Sequence, residues 1–106
     1  VPLMPSTPRI ERLWTLVRSV PRGKVVSYGA LGRAVVPPVS GLVVGHWMAN
    51  CDADVPWWRV VGAKGNLPVF KRDASFAIAQ ETRLREEGVE FVDGLVSQSH
   101  FITLDD

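Results

Sequence analysis

Few residues in this chain could do chemistry. Its single cysteine, Cys51, has no partner for an internal disulfide, and no Cys/His cluster surrounds it to make a zinc site. By residue type it is a small, partly buried hydrophobe. No metal or cofactor is expected. Four tryptophans in 106 residues is a high number, and two of them, Trp57 and Trp58, are adjacent. Indole is neither a nucleophile nor a useful base, so this pair offers surface rather than reactivity. Charge is unevenly placed. Residues 1–72 carry ten Lys/Arg against Glu11, Asp52 and Asp54, a balance of +7, and residues 73–106 carry Arg83 and Arg85 against eight acids, a balance of −6. A basic body with an acidic end suits a polyanion binder; uneven solvated faces give the same count.

The elements that must position these residues follow from the pattern. Pro2, Pro5 and Pro8 keep residues 1–8 extended as a flexible N-terminus, and residues 9–106 read as one domain. Thr7 caps a helix with Pro8 at its first position, and Ile10, Leu13, Trp14 and Val17 give it an apolar face. Pro21-Arg22-Gly23 ends it in a turn, and Val25-Val26 is an extended link. Ser27 caps a short helix over Tyr28–Val35, which Pro37-Pro38 stops; Ser40 caps a second over Gly41–Asn50. Two short helices around a proline turn read as a helix-turn-helix. The second is apolar nearly all round, which suits a helix packed on the core and pressed into a minor groove. Val60-Val61 reads as a strand, residues 62–65 as a hairpin turn and Leu67–Phe70 as a short return. Asp73 caps a long helix to about Glu87, with Gly88 as its C-terminal stop. A strand over residues 89–92 and a turn at Asp93-Gly94 follow, and Phe101 and Leu104 are candidates to fold back on the body. The fold class is mostly α with small β elements and a winged-helix character. An intracellular location is expected: a lone cysteine fits a reduced compartment, no run approaches the ~18 apolar residues of a membrane span, and Val1–Pro8 lacks the features of a signal peptide.

Three segments, in order, resemble the DNA-binding domain of the alkylguanine-DNA alkyltransferases. They are Pro21-Arg22-Gly23-Lys24-Val25-Val26-Ser27-Tyr28-Gly29-Ala30-Leu31, Val44-Gly45-His46-Trp47-Met48-Ala49-Asn50, and Val55-Pro56-Trp57-Trp58-Arg59-Val60-Val61. The third stands where the transferases carry Pro-Cys-His-Arg-Val. The helix ending Leu84-Arg85-Glu86-Glu87-Gly88-Val89 also matches, so the resemblance covers roughly residues 9–92. Trp57 occupies the position of the alkyl-accepting cysteine, which is similar to the alkyltransferase-like subgroup, as are Phe70-Lys71-Arg72-Asp73 and the helix after them.

That resemblance implies a function and a set of roles. Alkyl transfer needs a thiolate activated by a base; with Trp57 and Trp58 at those two positions, the implied protein is not an enzyme. It binds double-stranded DNA containing O6-alkylguanine, flips the base through the minor groove and marks it for nucleotide excision repair, with repair proteins as further partners. A monomer is expected, located in the cytoplasm (nucleoid) or the nucleus. Tyr28 presses on the phosphate beside the target, Trp57 walls the pocket, and Arg72 bonds or stacks over the base. Ser27, Tyr28, Leu42, Val43, Gly45, His46 and Trp47 form the helix-turn-helix contact surface. Asn50, Arg59 and Glu87 support the loop, Glu87 structurally, and Trp58 is expected only to pack. Leu42 stands where the family has an arginine finger; leucine can wedge between bases but cannot hydrogen-bond the orphan cytosine. His46 and Trp47 replace small residues and leave the groove open only if they point sideways. Three other readings stay open: a transferase using Cys51, a winged-helix regulator that reads sequence, and an interaction module without lesion preference.

Overall fold

The computed structural model describes residues 8–49, 54–67 and 74–104. Helix α1, Pro8–Arg18, begins at the proline and buries Leu13, Leu16 and Val17. The buried face adds Leu16 to the expected Leu13 and Val17, the expected Ile10 and Trp14 are half-buried, and Val20 beyond the helix is buried as well. Residues 1–7, with the Thr7 cap, lie outside the described residues; Pro8 takes the expected first helical position, so the helix includes the last residue of the stretch 1–8 expected to be flexible.

Val25-Val26 is more than a link. Strand β1, Val26–Ser27, pairs in parallel with β2, Val60–Val61, with Val26 opposite Val60 and Ser27 opposite Val61, and Val25 bridges Phe101. All of these valines are buried, so the short run is held by partners distant in the chain. This pairing also corrects the hairpin expected after β2. The turn exists, with Gly62 donating to the Asn66 carbonyl at 2.8 Å, but β2 pairs with β1 and Leu67 is not in a strand; residues 68–70 lie outside the described residues.

Ser27 ends β1 and caps α2, Tyr28–Ala34, its hydroxyl accepting from the Ala30 amide at 3.1 Å. Ser40 caps α3, Gly41–Met48, by accepting from the Val43 amide at 3.3 Å. Both helices end one or two residues earlier than expected, at Ala34 with an extended Val35 and at Met48 with Ala49 as cap. Their turn requires glycine at position 32: a Cβ there would collide with the Val39 carbonyl oxygen. The Val39 amide returns to the Gly32 carbonyl at 3.0 Å, closing the helix-turn-helix.

Helix α4, Ala74–Glu86, stops one residue short of Glu87, and the Val89 amide closes back on the Leu84 carbonyl at 3.0 Å. The strands β3, Phe91–Val92, and β4, Leu95–Val96, form the antiparallel hairpin that Asp93-Gly94 predicts. Both turn residues have positive φ, 54° and 79°, as a two-residue primed turn demands. Two apolar clusters result. One joins α1, α2 and α3 to Val55 and Val60. The other joins Val25 and Val61 to Leu84, Val89 and Val96, with Phe101 packed on it, while Leu104 packs on the first. The chain is thus mostly helical with small β elements. No helix among the described residues is long and apolar enough to cross a membrane.

Candidate functional site

The helix-turn-helix sets one half of the site. Tyr28 is the first residue of α2, fixed by the Ser27 cap, and is half-buried against the first cluster. The start of α3 packs on it closely: a Cβ on Gly41 would lie 3.3 Å from the Gly29 amide nitrogen and 3.4 Å from the Tyr28 Cβ. Along α3, Val44 and Met48 face inward, Val43 and Gly45 are half-buried, and Leu42 and His46 are exposed, Leu42 by 62 %. Trp47 turns sideways. It packs on the first cluster and lies beneath the Arg9 guanidinium, 6.0 Å from its centroid, while Arg9 also donates to the Pro37 carbonyl at 3.2 Å. A tryptophan bound to α1 in this way leaves the outer face of α3 to Leu42 and His46.

The loop before β2 sets the other half. Trp57, Trp58 and Arg59 form one 3-10 turn. Consecutive side chains there diverge, so Trp57 packs on the first cluster and Trp58 on the second. Their rings meet edge to face at 6.0 Å and 87°. Phe76, near the start of α4, meets Trp57 from another side at 6.2 Å and 69°.

Trp58 does more than pack. Its Nε1–H donates to Glu87 Oε2 at 2.8 Å, a role the indole takes up because its N–H reaches the carboxylate. Arg59 pairs with the same oxygen at 2.8 Å and donates to the Val20 carbonyl at 2.9 Å, and the Gly23 amide donates to Glu87 Oε1 at 2.9 Å. The carboxylate is therefore a hub joining α4 to the loop, to the end of α1 and to the turn before β1. Burial pushes the Glu87 pKa up. The hydrogen bonds from Arg59, Gly23 and Trp58, with the charge of Arg59, outweigh burial and hold it at about 2. With its oxygens committed to these donors, Glu87 is an ionised brace and not a proton acceptor in waiting. The Arg83 guanidinium covers the Trp58 ring at 4.6 Å, and a cavity of about 180 Å³ beside it is lined by Arg22, Trp58, Arg83, Glu86 and Glu87.

Gln80 was not among the expected site residues, yet it holds the loop. Only 2 % exposed, it donates its amide to the carbonyls of Trp58 at 3.1 Å and Val60 at 2.9 Å. The available signal was position: Gln80 lies one turn before Leu84 on the buried face of α4, and a buried amide must find partners. Phe76 is likewise not among the expected site residues. Asn50, Cys51 and Arg72 lie outside the described residues, as does the Asp73 cap. Among the described residues no group of three or more His, Cys, Asp or Glu could hold a metal ion.

The sequence model of the family described as "6-O-methylguanine DNA methyltransferase, DNA binding domain" matches residues 8–89. Alkyltransferase-like protein 1 of Schizosaccharomyces pombe is 38 % identical over 82 residues, 74 % of each chain. The DNA base-flipping protein of Vibrio parahaemolyticus is 27 % identical over 83 residues, 76 % of this chain and 80 % of that one. In structure, S. pombe Atl1 in complex with damaged DNA containing O6-carboxymethylguanine superposes with a TM-score of 0.79 at 27 % identity, covering 95 % of this chain and all of that one. The helix-turn-helix and the order of the motifs are therefore those of one fold, and the chain belongs to the alkyltransferase-like proteins, within the family of the 6-O-methylguanine DNA methyltransferase DNA-binding domain.

Proposed function

We propose that this protein is a non-enzymatic sensor of alkylated guanine in double-stranded DNA. One observation carries the reading: Glu87 holds the indole N–H of Trp58 at 2.8 Å, with Trp57 set edge to face against that ring. A transferase needs a thiolate and a base at this point of the motif. Here two neutral rings take both places, and the carboxylate behind them is consumed as a brace. What such a site offers is a flat apolar wall, and stacking on an aromatic face is worth about 1–3 kcal/mol per base.

In this reading α3 enters the minor groove, Tyr28 at the start of α2 presses the target nucleotide outward, and Trp57 receives the flipped base. Arg72 adds a bond or a stacking face from the segment before α4. Flipping costs a few kcal/mol, and less where the O6 substituent already weakens pairing, so the lesion itself supplies part of the selectivity. Leu42, exposed on α3, wedges into the vacated stack. Ser27, Val43, Gly45, His46 and Trp47 shape the contact surface, while Asn50, Arg59 and Glu87 keep the loop in place. Residues 9–106 act as one unit, as a monomer in an intracellular compartment, and the bound complex marks the site for nucleotide excision repair. The DNA complex of S. pombe Atl1 and the base-flipping name of the Vibrio relative support this assignment.

The test is a titration of paired duplexes, one with O6-methylguanine opposite cytosine and one with guanine, followed by weighing the recovered protein by mass spectrometry. Tighter binding to the lesion with unchanged protein mass is expected. Equal binding would favour a sequence reader or an interaction module, and a gain of one methyl group would make the protein a transferase acting through Cys51.

A further inference from the structure

Phe76 is the third residue of α4, and its ring meets Trp57 at 6.2 Å and 69°. An aromatic side chain of this size is usually well covered, yet Phe76 is 41 % exposed. Trp57 itself is half-buried and is met on another side by Trp58. The guanidinium groups of Arg59 and Arg83 lie over Trp58, at 5.5 Å and 4.6 Å, so among the described residues positive charge gathers there. The contact between Trp57 and Phe76 is purely aromatic, and the Phe76 ring keeps 41 % of its surface exposed.

We propose that Phe76 is a specificity-determining residue: it extends the wall begun by Trp57 and favours large, uncharged, flat O6 substituents over small ones. This rests on the reading of Trp57 as the wall of the lesion pocket. The geometry supplies the discrimination. A methyl group offers little area to share between Trp57 and the ring packed edge to face against it. An aryl substituent is large enough to bury area on both rings, and an aromatic pair adds stabilisation beyond its area. A charged substituent gains nothing from the corner and loses solvation there.

The experiment measures binding of wild type, Phe76→Ala and Phe76→Leu to duplexes carrying O6-benzylguanine, O6-methylguanine or guanine opposite cytosine. Thermal melts establish that each variant is folded. Phe76→Ala should lower the benzyl-to-methyl affinity ratio roughly fivefold, the equivalent of one aromatic pair, with the methyl-to-guanine ratio unchanged. Phe76→Leu keeps apolar bulk without the ring and should lower the benzyl-to-methyl ratio by about half as much on a logarithmic scale. If Phe76→Ala does not fold, Phe76→Leu carries the same test. An unchanged benzyl-to-methyl ratio in the folded variants would overturn the assignment while leaving lesion recognition intact. Equal binding of all three duplexes by wild type would remove the lesion pocket, and the role of Phe76 with it.

Discussion

Replacing Glu87 with glutamine tests the brace behind the tryptophan pair. The side chain of Glu87 is 4 % exposed and that of its partner Arg59 is 15 %. Holding the carboxyl at about 2 instead of its ordinary 4.5 corresponds to about 3 kcal/mol of folding stability at neutral pH, at about 1.4 kcal/mol per tenfold change in proton affinity. Removing one partner of a buried pair also strands the other, and such losses run to about 3–5 kcal/mol. Glu87→Gln should therefore cost about 3 kcal/mol or more at pH 7, a fall in Tm on the order of 15 °C for a chain of this size. The sign with pH follows from the direction of the shift. A depressed carboxyl stabilises fully above its unfolded value of 4.5, and the contribution is lost as pH falls through about 2. Urea unfolding of both proteins, followed by tryptophan fluorescence at intervals from pH 7 to pH 2, should show a large stability gap that closes in acid. There wild type carries a neutral carboxyl much like the glutamine. A gap of constant size across that range would refute the reasoning, because it would mean that shape, not charge, holds the hub together.

Trp57→Ala should weaken the preference for lesion over guanine by roughly fivefold or more, from the lost stacking, while general duplex affinity changes little; equal losses on both duplexes would count against a pocket wall. Trp57→Cys should stay unmethylated by mass spectrometry after incubation with O6-methylguanine DNA, since Trp58 cannot serve as base and Glu87 is already engaged by three donors. Efficient transfer by that variant would show that the missing base is not what prevents reaction. Leu42→Arg, at a position 62 % exposed on α3, should tighten lesion binding by adding a donor for the orphan cytosine; fluorescence anisotropy reads the change, and weaker binding would show that the leucine wedge is the better filler. Affinity for any duplex should fall as salt rises, because phosphate contacts release counterions; a flat response would remove the basic half of the chain from the interface.

Much of the fold is legible along the chain because its signals are local. Ser27 and Ser40 announce two helix starts through side-chain oxygens that reach amides three residues on, and Asp93-Gly94 announces a hairpin through backbone freedom at the turn itself. The Pro-Trp-Trp-Arg segment likewise shows its chemistry outright, since an indole supplies neither a thiolate nor a useful base. What the chain order hides is pairing over distance. Val26 is too short a run to read as a strand, and becomes one only because Val60 arrives beside it. Trp47 reads as an obstruction on α3 until α1 brings Arg9 over its ring. Trp58 reads as mere packing, and Gln80 as an ordinary helix residue, until α4 lies against the loop and gives the indole a carboxylate and the loop carbonyls a donor. The sequence by itself determined which groups are present, where the helices begin and that Trp57 and Trp58 offer no thiol and no imidazole, because those follow from residue type and neighbours a few positions apart. Only the tertiary structure decided which way the tryptophans point and which partners satisfy the buried polar groups, because hydrogen bonds and ring contacts depend on positions in space that the chain reaches only after its distant segments have packed together.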